Sequence, residues 1–209
     1  MPLHFGVSLR DRPDGLVLTR ENYVRISKDN TITAVAEPYS DAWCKKQEIA
    51  AYANFDLNMR YFASLDRDEF NKVTEKFLKK QKRFVAVTDL NVYEGVEGYY
   101  IMVLDHYCQV YIGTSNNIKR RILQHWSKVM PFDRLVFGSI DSSRLSINSF
   151  RAFDTTRLYA FRTSNLFKVE EKIIGLIPEK FICNRTIGGF LQGGLQEAIA
   201  NRRTRTMVD

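Results

Sequence analysis

The sequence predicts an α+β fold, and three observations carry the expectation. The 209 residues are 44% hydrophobic and 26% charged, with only 11 Gly and 5 Pro, which fits a folded chain and excludes collagen-like, low-complexity and wholly disordered classes. Two β-rich runs, Tyr99 to Leu104 and Gln109 to Gly113, flank a short polar turn around Asp105-His106-Tyr107 and read as a hairpin. Segments on both sides of that hairpin repeat apolar residues at the helical period, with caps and stops where helices need them.

Residues 3–35 mix β-branched and aromatic residues with the turn signals Arg12-Pro13-Asp14-Gly15 and Lys28-Asp29-Asn30, so short strands and a hairpin are expected there. Two helices follow, one from about Asp41 to Phe55 and one from Asp66 to Arg83. The second opens on acidic residues and closes on Lys79, Lys80, Lys82 and Arg83, as the helix dipole favours. After the central hairpin, Ser115-Asn116-Asn117 are suited to capping a helix that runs to about Met130, where Pro131 stops it. Residues 133–157 are less regular, with a strand expected at Arg134 to Ile140. Leu158 to Arg162 reads as a further strand. A helix from Asn165 to Ile177, ended by Pro178, precedes the Gly188-Gly189 and Gly193-Gly194 turns and a basic tail. The pattern changes divide the chain into an N-terminal accessory region, 1–93, a second domain, 94–190, and a tail, 191–209.

Charge is unevenly spread. The chain carries 31 Lys and Arg against 24 Asp and Glu, a formal +7, and residues 94–209 hold most of that excess. The second half is therefore the expected polyanion binder. The longest apolar run, Tyr99 to Leu104, is far shorter than the roughly 18–20 residues a membrane helix needs, and the N-terminus places charges where a secretory signal would be apolar. A cytoplasmic protein with no membrane partner is expected. Three widely spaced cysteines, Cys44, Cys108 and Cys183, form no metal knuckle and read as buried apolar residues.

Helical geometry selects particular side chains. At about 100° per residue, Ile118, Ile122, Trp126 and Val129 share a stripe about 80° wide that faces the core, and Arg120 points almost opposite. Arg121 and His125, four apart, share a face beside that stripe, at the edge of a cleft. On the later helix Leu166, Val169, Ile173 and Ile177 form the stripe. Glu170 lies about 60° from its centre and Glu171 about 160°, so Glu170 is the placed carboxylate.

The ordered set Gly98-Tyr99-Tyr100, Tyr111-Ile112-Gly113, Arg121, His125, Glu170 and Asn184 resembles the GIY-YIG nuclease family over roughly residues 95–190. Taken singly, each residue has an ordinary reading as a core aromatic, a helix histidine or a solvated charge; the joint spacing carries the resemblance. It implies a small three-stranded antiparallel sheet flanked by helices, and a DNA endonuclease that hydrolyses phosphodiesters with Mg²⁺, or Mn²⁺. Tyr100 is then the general base, Tyr111 orients water or phosphate, and His125 relays or holds the Tyr100 proton, the last two roles being interchangeable. Asn184 braces the site or a phosphate. Arg121, forked and permanently charged, suits a phosphate oxygen, and Glu170 suits a single-carboxylate metal site. Lys119, Arg120, Arg202, Arg203 and Arg205 are candidate contacts to the DNA backbone. The length, and the lack of a ring-type cysteine cluster, favour a restriction, mobile-element or phage-type nuclease over repair or junction enzymes. One active site cuts one strand, so a double-strand break implies a homodimer or two successive nicks. The rival expectation is a catalytically silent DNA-binding or regulatory module on the same fold.

Overall fold

A computed structural model describes residues 1–10, 15–26, 39–165, 170–187 and 190–191, with the backbone alone for 170, 171, 186, 187, 190 and 191. The chain opens on the hairpin β1 (Leu3–His4) and β2 (Val7–Ser8), turned through Phe5 and Gly6, both at positive φ. A single helical turn, α1 (Arg20–Tyr23), comes next where strands were expected; the Thr19 side chain and the Asn22 amide cap it reciprocally. The turn signals at 12–14 and 28–30 lie outside the described residues.

Helix α2 (Asp41–Ala63) starts on Ser40, whose hydroxyl accepts from the Trp43 N–H, and runs well past the expected end at Phe55. Asn58, three residues past that expected end, is a buried tertiary anchor. Its amide donates to the Asn54 and Ser143 carbonyls and accepts from the Leu145 N–H. Helix α3 (Arg67–Lys80) is capped by Asp66 as its sequence implies.

The central sheet is antiparallel, with β3 (Val85–Ala86), β4 (Gly98–Leu104), β5 (Gln109–Ser115) and β6 (Arg157–Arg162) in the order β3-β6-β4-β5. It has four strands rather than three. The extra strand comes from the region set apart as accessory, pairing Val85 with Ala160 and Ala86 with Tyr159. Strand β4 is buried along its whole length because both sheet faces are covered. On one face Tyr99, Ile101 and Val103 pack with Phe70 and Phe77 of α3. On the other, Tyr100, Met102 and Leu104 pack with Phe55 and Phe62 of α2 and with Ile118, Ile122 and Trp126 of α4 (Ile118–Ser127). Residues on both sides of position 93 thus share both cores, and a division there cuts through the sheet.

No strand forms at 134–140. A 3-10 turn at Phe132–Arg134 leads into Gly138 at φ +76°, and the carbonyls of Arg134 and Leu135 accept from the Arg185 guanidinium instead of joining a ladder. The later helix is described as α5 (Glu170–Ile174); Ile173, Ile174 and the following Ile177 pack on the Tyr99 face of the sheet. The segment after Pro178 runs along the outer side of β5, where Ile182 bridges to Val110 and the Cys183 N–H donates to the Val110 carbonyl, and ends in β7 (Thr186–Ile187) and β8 (Phe190–Leu191). The Gly188-Gly189 and Gly193-Gly194 turns lie outside the described residues. Cys44, Cys108 and Cys183 are buried, as read from the sequence. Among the described residues no helix is long and apolar enough to cross a membrane.

Candidate active site

The site grows out of the register between β4 and β5. Tyr100 stands opposite Gly113 and Met102 opposite Tyr111, so the two tyrosines project from the same sheet face. The Tyr100 phenol crosses directly over Gly113. A Cβ at that position would sit 2.5 Å from the phenol oxygen and 2.6 Å from Cζ, so only glycine lets the ring pass. At the head of β4, Gly98 has a similar reason: at φ +153° a Cβ would meet the Phe161 carbonyl at 2.1 Å.

Helix α4 lies over this face. Asn117 caps it by accepting from the Arg120 N–H at 3.0 Å, and Ile118, Ile122 and Trp126 of its apolar stripe are buried as the periodicity predicts, whereas the helix ends at Ser127, short of Met130, and leaves Val129 half-buried beyond it. The helix carries His125 onto Tyr100: Nε2 is 2.7 Å from the phenol oxygen. On the other side of the ring, Nδ1 is 2.6 Å from Asn148 Oδ1. The Tyr111 ring meets His125 edge-on at 5.1 Å and lies 6.1 Å from the Tyr100 ring.

This group has an inside and an outside. Tyr100 is 0% exposed and His125 1%, whereas Tyr111 is half-buried and Arg121 exposed. The sequence places His125 at the edge of a cleft; the structure puts it in the core. Burial raises the Tyr100 phenol well above its ordinary pKa, the Tyr111 hydroxyl adds to that, and the Arg121 guanidinium opposes it by favouring the phenolate. Burial likewise pushes the His125 imidazole down to about 4; Arg121 and Lys128 act in the same direction and the Asn148 bond opposes them. His125 is therefore a neutral imidazole near pH 7. The hydroxyl assigned as general base is enclosed and bonded to His125, while Tyr111 and Arg121 form the outward side.

The other candidates fall elsewhere. Asn184 uses its amide on the β5 backbone, Oδ1 accepting from the Ile112 N–H at 3.1 Å and Nδ2 donating to the Ile112 carbonyl at 2.7 Å, so it braces the strand that carries Tyr111. Glu170 heads α5, whose described body packs on the sheet face opposite Tyr100; its carboxylate lies outside the described residues. Lys119 is paired with Glu94 at 3.0 Å and is only one-fifth exposed. The Glu94 carboxyl is held below its usual range by Asn117 and then by Lys119. Arg120 is exposed, and Arg202, Arg203 and Arg205 lie outside the described residues. His4, near the N-terminus, bonds the Thr155 carbonyl from Nε2 and packs among Phe5, Trp126 and Phe153, a structural role.

A groove of about 980 Å³ opens between α2, residues 137–144 and the end of α5, and Asn184 lies in its wall. Arg144 and Arg185 are matched there by Asp141 and Glu179, so its charge does not mark a path for a polyanion.

The residue that sequence reasoning missed is Asn148. It sits in a 3-10 turn, Ile147–Ser149, started by Ser146, whose hydroxyl accepts from the Asn148 N–H. Locally this reads as a capping motif in an irregular Ser-rich stretch, and nothing in the sequence ties it to a histidine on the preceding helix. No known protein-family model, curated protein or solved structure matches this chain.

Proposed function

We propose that this chain is a Mg²⁺-dependent endonuclease that hydrolyses DNA phosphodiester bonds, of restriction, mobile-element or phage type. One observation supports the reading above the others: two strands and a helix bring Tyr100, Tyr111, Arg121 and His125 to one place, in the pattern that the resemblance to GIY-YIG nucleases implies.

Each residue then has a task that suits its position. Arg121, on the outward side, takes a non-bridging phosphate oxygen and stabilises the charge of the pentavalent transition state. Tyr111 stands between solvent and Tyr100 and positions the attacking water. The proton path runs inward, from the water through the tyrosine hydroxyls to His125. An imidazole whose pKa lies near 4 is a weak base, so proton removal accompanies attack rather than preceding it. The resemblance gives the metal to Glu170 alone, a carboxylate being the oxygen donor a hard divalent ion takes, and Glu170, at the head of a helix that packs on the sheet face opposite Tyr100, would hold it. Bound there, Mg²⁺ would neutralise phosphoryl charge and lower the pKa of a coordinated water.

The complete burial of Tyr100 favours a second reading, a DNA-binding module without turnover, because an enclosed hydroxyl meets no water unless substrate opens a path. Supercoiled plasmid with Mg²⁺ separates the two. Wild-type protein should nick it, and Arg121→Ala, a change at an exposed position, should lower the rate about 10²–10³-fold with little change in melting temperature. Binding without nicking, equal in wild type and Glu170→Ala, would establish the silent module.

A further inference from the structure

The His125 ring is held at both nitrogens inside the core, and only one of the two partners belongs to the set that the spacing motif selects. Asn148 Oδ1 can only accept a hydrogen bond. At 2.6 Å from Nδ1 it therefore requires the imidazole proton to be on Nδ1, which leaves the Nε2 lone pair for the Tyr100 O–H at 2.7 Å. The mirror arrangement, with the Asn148 amide nitrogen donating to Nδ1, would put the proton on Nε2 and aim it at the phenol oxygen. His125 could then not accept from Tyr100.

We propose that Asn148 is the positioning residue of this site, fixing His125 as the Nδ1–H tautomer so that Nε2 faces Tyr100 as a proton acceptor. The inference rests on the endonuclease reading for its catalytic meaning and on the geometry alone for the tautomer. The surroundings agree. Tyr100 from β4 and Tyr111 from β5 face the ring, Arg121 and Lys128 from α4 and its end act on it by their charge, and among the described residues no carboxylate acts on it. A neutral amide is thus the partner that orients the ring without drawing a proton onto it. The same Asn148 turn is tied down through its neighbours, since the Leu145 N–H donates to Asn58 and the Ser143 carbonyl accepts from Asn54 and Asn58.

Nitrogen-15 spectra of the imidazoles in the full-length protein test this, with His125→Gln identifying the resonances. Wild type should show His125 protonated at Nδ1 near pH 7. Asn148→Ala should shift it toward the Nε2–H form. Asn148→Asp should restore the Nδ1–H form and raise the titration midpoint above about 4, because a carboxylate replaces the amide. Plasmid nicking should fall about 10–100-fold in Asn148→Ala, the loss seen when a metal-bound histidine is deprived of its orienting partner. A wild-type Nε2–H tautomer, or an Nδ1–H tautomer unchanged in Asn148→Ala, overturns the proposal; Asn148→Asp supplies the comparison should the alanine variant not fold. The expected tautomers together with no nicking by any protein would uphold Asn148 and overturn the endonuclease reading.

Discussion

Gly113→Ala should damage the site without touching any polar group. Gly113 has an ordinary backbone conformation, so an alanine there is strained by its surroundings alone. Its Cβ would lie 2.5 Å from the Tyr100 phenol oxygen, 2.6 Å from Cζ and 2.9 Å from Tyr111 Cε1. Relief needs about 1 Å of movement, since carbon contacts settle near 3.5 Å. The Tyr100 ring cannot yield that while keeping its bond to His125, for it is buried and held at 2.7 Å. Overpacking costs about 1–3 kcal/mol, and a broken buried hydrogen bond adds about 1–3 kcal/mol. Together they lower the melting temperature by roughly 4–24 °C for a chain of this size. Scanning calorimetry of Gly113→Ala, Tyr100→Phe and the double variant reads both parts. In the double variant the Tyr100–His125 bond is lost only once, so its destabilisation should fall short of the sum by about 1–3 kcal/mol. A Gly113→Ala melting point within about 1 °C of wild type, or strict additivity, refutes the reasoning.

Two further outcomes follow from the same residues. In the fold His125 stays neutral down to about 4, whereas an unfolded chain protonates its imidazole near 6.5; the unfolded state binds more protons between those limits, and acidification across them removes about 3 kcal/mol of stability. Urea midpoints should fall more steeply from pH 6.5 to 4 in wild type than in His125→Gln, in which His4 still contributes, and parallel curves would exclude the buried neutral imidazole. Asn184→Leu removes both bonds to Ile112 and should cost about 1–3 kcal/mol. The Ile112 amide should then exchange its hydrogen faster, and unchanged protection would contradict the bracing role.

The parts of the fold legible in the sequence are those with local causes. The hairpin at 98–115, the Asn117 cap and the stripe of Ile118, Ile122 and Trp126 follow from period and capping alone, and the structure keeps them. Arg121 and His125 were likewise set on one face by helical geometry, but whether that face meets solvent or core depends on what covers it. The covering is long-range: residues 140–149 are folded against α2 by Asn54 and Asn58, far back in the chain. The same contacts explain why α2 outruns its expected end, and a different long-range contact explains why 134–140 makes no strand, since the Arg185 guanidinium claims the Arg134 and Leu135 carbonyls. Strand β3 escaped notice because two exposed residues have no period. Asn148 was invisible for a related reason, because its partner is chosen by a loop's path and not by spacing.

Of the two edges of the sheet, the β5 edge is already occupied at its centre. On β5 the Val110 carbonyl and the Ile112 main-chain pair are taken by Cys183 and the Asn184 side chain, so a second molecule cannot add its own strand there without first evicting them. A twofold assembly of this chain would therefore have to be built elsewhere than on the β5 edge. Tyr111, lying between those two ties, would keep its place in either protomer.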